Sequence, residues 1–235
     1  MVWGLSMPSS FGDYFPHGDY VGWDEELKRY YDETMPAEQK APFLVRGPVR
    51  YFRYVGAKFR KECGSNDIND LPPITPIKAH EPPKWYETVK TYSSLGSLIE
   101  LPNQILAVDD ALKSIIERLE PEVHQFFPIQ ITMPKGAVYP KRYFVMAIGR
   151  YFDSFSKEKS KVGCWKDRGN GYYSALYNLK EHLTGLAFSK TVFGNAHLWR
   201  ERHMSEPEIL FSDELQAEIT KAGLRLPKHY QMKAV

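Results

Sequence analysis

The sequence predicts an α+β protein in which a mostly antiparallel sheet packs against a few helices. Apolar runs of strand length occur in the C-terminal part of the chain, and two amphipathic helical patterns there follow short apolar runs. In the first ninety residues, prolines recur too often for long helices. We therefore expect an N-terminal segment of short elements that wraps the core.

The strand predictions rest on runs rich in β-branched and aromatic residues. The run "RYFVMAIGRYF" is long and apolar enough to lie at the centre of a sheet. In "HQFFPIQITM", Pro128 lacks a backbone donor, which indicates an edge or a bulge. A short strand is expected in "ILF" (209–211). The longer strands are predicted near residues 49–55, 125–132, 142–150, 186–192 and 197–200.

Capping residues predict the two main helices. Asp109 is the expected N-cap of a helix over 109–119, and Ser212 that of a helix over 213–222 that ends before Gly223. The segments "VDDALKSII" and "FSDELQAEI" share an apolar residue, a capping residue, a first-turn Asp, and a Leu and an Ile four apart. A module of strand end, cap and helix is therefore expected twice.

The frequency of helix-breaking residues and the length of periodic segments change near residue 90. Prolines and aromatic residues punctuate residues 1–90, where "WDEELKRYYDE" is the best helical pattern. Longer periodic segments with fewer breakers fill residues 91–235. We predict a Pro- and aromatic-rich segment over 1–90 and an α+β domain over 91–235.

Charge and cysteine content exclude several classes of protein. Thirty-one Lys and Arg against 29 Asp and Glu leave a formal net charge of +2, which favours neither nucleic-acid binding nor nucleic-acid mimicry. Cys63 and Cys164 lack metal-ligand spacing and indicate reduced thiols. The first residues lack a signal-peptide pattern and no run reaches eighteen apolar residues, so we expect a soluble, cytoplasmic protein without a membrane partner.

The stretch "AHLWRERHMSEPE" holds the densest group of titratable side chains. His197 and His203 are six apart, which fits neither a helical metal pair nor two ligands on one strand face. The alternating charges are typical of a solvated connection or of a charged rim that faces a partner. Enzymatic use would require His197, His203 and Glu201 to line one concave pocket.

The segment "KVGCWKDRGNGYY" carries no catalytic signature. Basic neighbours could activate the Cys164 thiol, but the sequence identifies no histidine as its catalytic partner. The glycines of "GNG" are too few for a phosphate-binding loop. We interpret the segment as a mobile or partner-contacting loop with Trp165, Tyr172 and Tyr173 as anchors. The sequence predicts no catalytic residue, metal site or cofactor.

Several short pieces follow one another in a distinctive order. They are a helix ending in "ERLEP", the "QFFPIQI" strand, a Tyr-rich strand that ends at "EKS", the "LWR" strand, and the final "LFSDEL…AGL". Over roughly residues 97–226 this order resembles a bacterial family of polymorphic-toxin immunity proteins, numbered eleven among the immunity families and formerly a domain of unknown function. The insert "KVGCWKDRGNGYYSALYNLKEHLTG" departs from that pattern.

The resemblance implies a non-catalytic protein that binds a toxin domain encoded by the adjacent gene and occludes it, with no direct nucleic-acid contact. It supplies no catalytic residues. Two alternatives remain: an enzyme of unassigned class that uses His197 and His203, or a regulatory subunit whose partner is not a toxin. Aromatic and Arg side chains dominate binding energy at protein interfaces, and the expected partner contacts are Trp165, Arg168, Tyr172, Trp199, Arg200 and Arg202.

Overall fold

Strands and helices interleave along the chain in the computed structural model, which describes residues 1–65, 71–177 and 179–235. The α-helices are α1 (Trp23–Arg29), α2 (Ala37–Lys40), α3 (Gly47–Lys58), α4 (Asp110–Leu119), α5 (Lys180–Leu183), α6 (Lys190–Phe193) and α7 (Asp213–Lys221). The strands are β1 (Val2–Leu5), β2 (Gly18–Tyr20), β3 (Trp85–Thr88), β4 (Leu98–Leu101), β5 (Ile105–Asp109), β6 (Gln125–Met133), β7 (Ala137–Val138), β8 (Tyr143–Ala147), β9 (Tyr151–Phe152), β10 (Trp165–Gly169), β11 (Tyr172–Ala175), β12 (Ala187–Phe188), β13 (Leu198–Glu201), β14 (Ile209–Ser212) and β15 (His229–Ala234).

The strands form two large sheets and a separate hairpin. One sheet has the order β12-β15-β1-β14-β13-β9, and the other has the order β2-β3-β6-β8-β5-β4 with β7 paired to β6. Most pairs are antiparallel, whereas β12–β15, β13–β9 and β3–β6 are parallel. The α+β prediction is therefore confirmed, with the strands divided between two sheets instead of one.

The predicted strand–cap–helix module occurs twice, as expected. The Asp109 side chain accepts a hydrogen bond from Leu112 N, and Ser212 accepts one from Leu215 N. These caps start α4 and α7, which contact each other. Because the two helices follow β5 and β14, one module belongs to each sheet.

An apolar core joins the two sheets through α4 and α7. Successive residues of a strand face opposite sides of its sheet, so each sheet gives one face to this shared core. The sheets contribute Leu106 and Val108 from β5, Met146 from β8, Leu198 from β13, and Ile209 and Phe211 from β14; the helices contribute Leu112, Ile116, Leu215 and Ile219.

The opposite face of each sheet has its own cover. Residues of α1 and α3 pack with Ile105, Ala107 and Val145 against the seven-stranded sheet. On the six-stranded sheet, the cover includes Phe193 of α6 and Leu183 of α5. The N-terminal stretch supplies strands to both sheets, because β1 lies in one while β2 and β3 lie in the other. The domain boundary near residue 90 stays a prediction.

The prediction of a strand over 49–55 is wrong, because these residues belong to the twelve-residue helix α3. Long helices are therefore not excluded from the first ninety residues. Tyr51, Tyr54, Val55 and Lys58 are buried at helical spacing, and Pro48 occupies the first turn, where its missing donor costs nothing. Burial of this stripe outweighs the strand propensity of its aromatic residues.

The other predicted strands exist with different limits. β6 and β13 confirm the runs at 125–132 and 197–200, and β14 contains "ILF". The run 142–150 yields β8, which lies between β6 and β5 as a central strand. Only Ala187–Phe188 of the run 186–192 forms a strand, because α6 begins at Lys190. Among the described strands, only β8 pairs with β6 at Pro128, which confirms a local edge.

Candidate partner interface

The hairpin β10–β11 stands apart from the two large sheets. Its turn is Gly169-Asn170-Gly171, where three consecutive residues have positive φ; glycine adopts this backbone region without a steric cost. Arg168 is the extra residue of a bulge, and its Nε donates to Ser174 Oγ at 2.8 Å. The sequence "GNG" is thus the turn of a hairpin.

The segment after β13 lies against the hairpin. Tyr173 N donates to the His203 carbonyl at 2.7 Å, and Ser205 N donates to the Tyr173 carbonyl at 3.0 Å. The Tyr172 ring, 46% exposed, meets the His203 ring edge to face with centroids 5.4 Å apart. Two regions separated by thirty residues of sequence therefore form one surface.

Ion pairs extend this surface beyond the hairpin. His203 Nδ1 lies 3.5 Å from Asp153 Oδ1, and Arg202 Nη1 lies 3.5 Å from Asp153 Oδ2. Arg202 also binds both Glu62 oxygens, from Nε at 2.6 Å and from Nη2 at 2.8 Å. The hydrogen bond and charge of Glu62 raise the pKa of Arg202 above its usual value. We call the set Glu62, Asp153, Arg168, Tyr172, Arg202 and His203 the hairpin surface.

Trp165 lies beneath this surface. It is half-buried and packs edge to face against Phe155 and Tyr173, with ring centroids 5.8 and 5.6 Å away. Aromatic pairs of this geometry add to the stability gained by burial. Trp165 thus supports the hairpin and presents part of its edge to solvent.

Trp199 and Arg200, two of the expected contact residues, are buried. Trp199 stacks on Phe193 with ring centroids 4.7 Å apart. Arg200 is 2% exposed, and its Nη1 donates to Glu208 at 2.7 Å. The structure brings Arg168, Tyr172 and Arg202 together at the surface, and it places Trp199 and Arg200 inside.

The side chains of the possible catalytic constellation have separate partners. His197 Nδ1 shares a hydrogen bond with Ser212 Oγ at 2.9 Å, at the start of α7, whereas His203 contacts Asp153. Glu201 is buried and accepts hydrogen bonds from Ser154 and from Trp199 Nε1. In this structure the three side chains do not line one concave pocket.

Burial strongly perturbs the titration of Glu201. Burial raises its pKa to about 7, although its hydrogen bonds from Ser154, Trp199 and Phe155 N lower it. These donors tie β13 to the turn after β9. Buried polar groups are normally hydrogen-bonded, and these donors satisfy the buried carboxyl group.

Cys164 and Ser160 are also held in structural contacts. The buried Cys164 thiol donates to the Glu181 carbonyl at 3.6 Å. Ser160 Oγ donates to the Ser156 carbonyl and accepts from Ala187 N. Within residues 1–65, 71–177 and 179–235, no group of three His, Cys, Asp or Glu side chains could hold a metal ion. No helix in those same ranges is long and apolar enough to span a membrane.

Sequence reasoning missed two members of the hairpin surface. Glu62 lies 140 positions before its partner Arg202, and Asp153 lies 49 before it. Neither residue belongs to a recognisable motif, so only the fold reveals the contacts. The position of Asp153 directly after the aromatic strand β9 is a sequence signal that could have pointed to it.

Comparison with known proteins assigns the family. A family model described as the immunity protein family Imm11 matches residues 25–233 of the 235-residue chain, which includes the whole hairpin surface. No curated protein matches the chain. The match is wider than the 97–226 resemblance and confirms it. The family implies a toxin-neutralising immunity role with a toxin as partner. The chain therefore belongs to the Imm11 immunity protein family.

Proposed function

We propose that this protein binds a toxin domain through the hairpin surface and neutralises it by steric occlusion. The toxin is the C-terminal domain of a polymorphic toxin encoded by the adjacent gene in the same bacterium. The protein acts without catalysis, as a stoichiometric inhibitor. The observation that carries the proposal is the family match together with an exposed aromatic and Arg surface inside the matched range.

The chemistry of the hairpin surface suits a protein partner. Tyr172 offers a large ring with a polar tip, and Arg168 lies directly before the turn. Tyr and Arg are enriched among the residues that dominate binding energy. The Glu62–Arg202 ion pair adds charged groups to the same surface, which favours specificity and rapid association.

Apolar side chains next to the hairpin extend the area available to a partner. Val162 is 93% exposed and Tyr177 is 61% exposed. Both lie in the segment that joins β9 to α5, on either side of the hairpin. A stable interface buries about 800 Å² on each partner, so residues outside the hairpin surface must contribute to it.

The direct test is co-expression in a heterologous bacterium with the C-terminal domain of the neighbouring gene product. We expect survival of the cells and co-purification of the two chains in a stoichiometric complex. Arg168→Glu and Tyr172→Asp should each reduce both readouts, because they reverse a charge and remove an aromatic anchor.

Val138→Asp is the matched control. Val138 is 57% exposed on β7, in the seven-stranded sheet. The variant therefore adds the same negative charge as Tyr172→Asp, at a residue of similar exposure that lies away from the hairpin. It should protect as well as the wild type. If the neighbouring domain kills regardless and does not co-purify, that pairing is wrong. If the hairpin variants protect fully, the interface lies on another surface.

A further inference from the structure

The hairpin β10–β11 has one paired edge and one open edge. On the β11 side, Tyr173 N donates to the His203 carbonyl, Ser205 N donates to the Tyr173 carbonyl, and Ala175 N donates to the Glu206 carbonyl at 2.9 Å. The segment after β13 therefore covers the outer edge of β11. Among the described strands, β10 pairs only with β11, so the outer edge of β10 is open.

The bonds of β11 determine which backbone groups of β10 point outward. Residues directly opposite each other in an antiparallel pair alternate between two arrangements: they exchange hydrogen bonds, or their N–H and C=O groups point away from each other. Tyr173 and Ala175 direct their amides away from β10, and they lie opposite Asp167 and Trp165. Asp167 and Trp165 therefore direct their own N–H and C=O groups toward the open edge.

These outward groups are available to another chain. The N–H and C=O groups of Trp165 and Asp167 have no hydrogen-bond partner among the described residues. Asp167 is exposed and Trp165 is half-buried. Unpaired groups along a strand edge are a template for the strand of a partner. The bulge at Arg168 ends the regular ladder, so the open edge consists of Trp165, Lys166 and Asp167.

The charges of β10 disfavour a second copy of this chain as the partner. Two antiparallel registers pair Asp167 with an outward residue of the second copy inside β10. In one register, Asp167 meets Asp167 and Lys166 meets Arg168; in the other, Asp167 meets Trp165 and Lys166 meets Lys166. Like charges directly opposite each other destabilise a strand pair. A different chain is therefore the favoured occupant of this edge.

The side chains beside the edge favour an acidic strand. Lys166 lies opposite Ser174, so the two side chains are on the same face of the hairpin. Arg168 reaches that face, because its Nε donates to Ser174 Oγ at 2.8 Å. Neither Lys166 nor Arg168 has an ion-pair partner among the described residues. An acidic side chain opposite Lys166 on an incoming strand therefore stabilises the pairing.

We propose that the open edge of β10 pairs with an extended strand of the toxin domain, which carries an acidic side chain opposite Lys166. This binding mode rests on the proposed function. The incoming strand extends the hairpin to three strands, and the N–H and C=O groups of Trp165 and Asp167 bind its backbone.

The first test is amide hydrogen exchange of the full chain, followed by nuclear magnetic resonance with and without the C-terminal domain of the neighbouring gene product. Without the toxin domain, the Trp165 and Asp167 amides should exchange faster than the Lys166 amide, which is bonded to β11. Binding should slow exchange of the Trp165 and Asp167 amides by at least about tenfold, because both become hydrogen-bonded. A bound toxin domain that leaves both rates unchanged overturns the inference.

The second test uses a matched pair of variants at Asp167. Asp167→Pro removes the outward N–H and keeps the hydrogen bonds between β10 and β11, since proline is tolerated where the missing N–H faces away from the ladder. Asp167→Ala removes the same carboxyl group and keeps the N–H. Asp167→Pro should bind the toxin domain at least about tenfold more weakly than Asp167→Ala. Equal affinity of the two variants overturns the inference, and the exchange rates of the wild type decide if Asp167→Pro does not fold.

The outcomes separate this binding mode from the proposed function. A toxin domain that does not bind the wild type contradicts both. A toxin domain that binds while the Asp167 amide still exchanges fast contradicts only the strand pairing. Exchange that slows with rising protein concentration in the absence of toxin assigns the edge to a second copy of the chain and overturns the inference.

Discussion

Glu201 belongs to the stretch with the densest group of titratable side chains, and the fold places it in a buried network of hydrogen bonds. Its carboxyl group accepts from Ser154 N at 3.0 Å, from Trp199 Nε1 at 3.1 Å and from Phe155 N at 3.3 Å. Ser154 Oγ donates to it as well. Within this charged stretch, Glu201 therefore belongs to a buried polar network, whereas Arg202 and His203 lie at the surface.

Titration of Glu201 should make the folding stability depend on pH. Its pKa of about 7 in the folded chain lies above the ordinary value of 4.5, so the folded state holds the proton more tightly. The stabilising contribution is complete below about pH 4.5 and is lost as pH rises through 7. The loss amounts to about 3 kcal/mol over this window. Urea unfolding of the wild type and of Glu201→Gln at several pH values measures it.

The Gln variant supplies the reference, because an amide does not titrate. We expect the difference in free energy of unfolding, wild type minus Glu201→Gln, to fall from pH 4.5 to 7.5. A constant or rising difference for Glu201 contradicts the assignment of its pKa.

A buried ion pair connects α3 to the segment before β3. Lys58 Nζ lies 2.6 Å from Glu81 Oε1, and both side chains are 1% exposed. Removing one partner leaves a buried charge without compensation, so Lys58→Met should lower the free energy of unfolding by about 3–5 kcal/mol. Chemical denaturation measures the loss.

Two further variants distinguish the ion pair from simple packing effects. Adding Glu81→Leu to Lys58→Met should recover much of the lost stability, because an apolar pair replaces the isolated charge. Lys28→Met removes the exposed partner of Asp32 and should change stability by less than about 1 kcal/mol. An equal loss from Lys28→Met and Lys58→Met contradicts the account.

At the scale of elements, local signals located α4 and α7 correctly. A helix cap depends on residues within one turn of each other, so its residue pattern can be recognised in a sequence. The helix α3 was mistaken for a strand because its Tyr and Val residues favour strands when taken singly. Only contact with α1 shows which stripe is buried, and the sequence does not state that contact.

The cap of α7 provides a quantitative test. Ser212→Ala removes the acceptor of the Leu215 N–H and should lower the free energy of unfolding by about 1 kcal/mol. Ser189 is the matched control, because it precedes α6 without making a side-chain cap hydrogen bond. Ser189→Ala should change stability by less than about 0.5 kcal/mol. Thermal unfolding that ranks the two variants in the opposite order contradicts the assigned caps.

At the scale of the whole molecule, the sequence predicted strands but not their partition into two sheets. β8 and β9 come from one continuous aromatic run, yet they belong to different sheets. Gly149 lies between them, where an added Cβ would meet the Val123 carbonyl oxygen at 1.9 Å. The close approach of two backbones at this crossing is a long-range property, which a single sequence does not reveal.

The candidate interface was predictable in the same limited way. Composition favoured an exposed segment for Arg168 and Tyr172, and both are exposed, while their contact with a partner stays a prediction. It could not separate Arg202, which lies at the surface, from Trp199 and Arg200, which lie inside. These residues are neighbours in sequence, and only the pairing of β13 determines which of them are covered.

The measurement that tests the central claim most directly is isothermal titration of the purified toxin domain into three forms of this protein. The wild type and Val138→Asp should bind one toxin each, with equal dissociation constants roughly in the nanomolar range. The Arg168→Glu, Tyr172→Asp double variant should bind at least about 30-fold more weakly, as expected for the loss of more than 2 kcal/mol at an interface centre. Equal affinity of all three forms, or no binding by the wild type, would contradict toxin neutralisation through the hairpin surface.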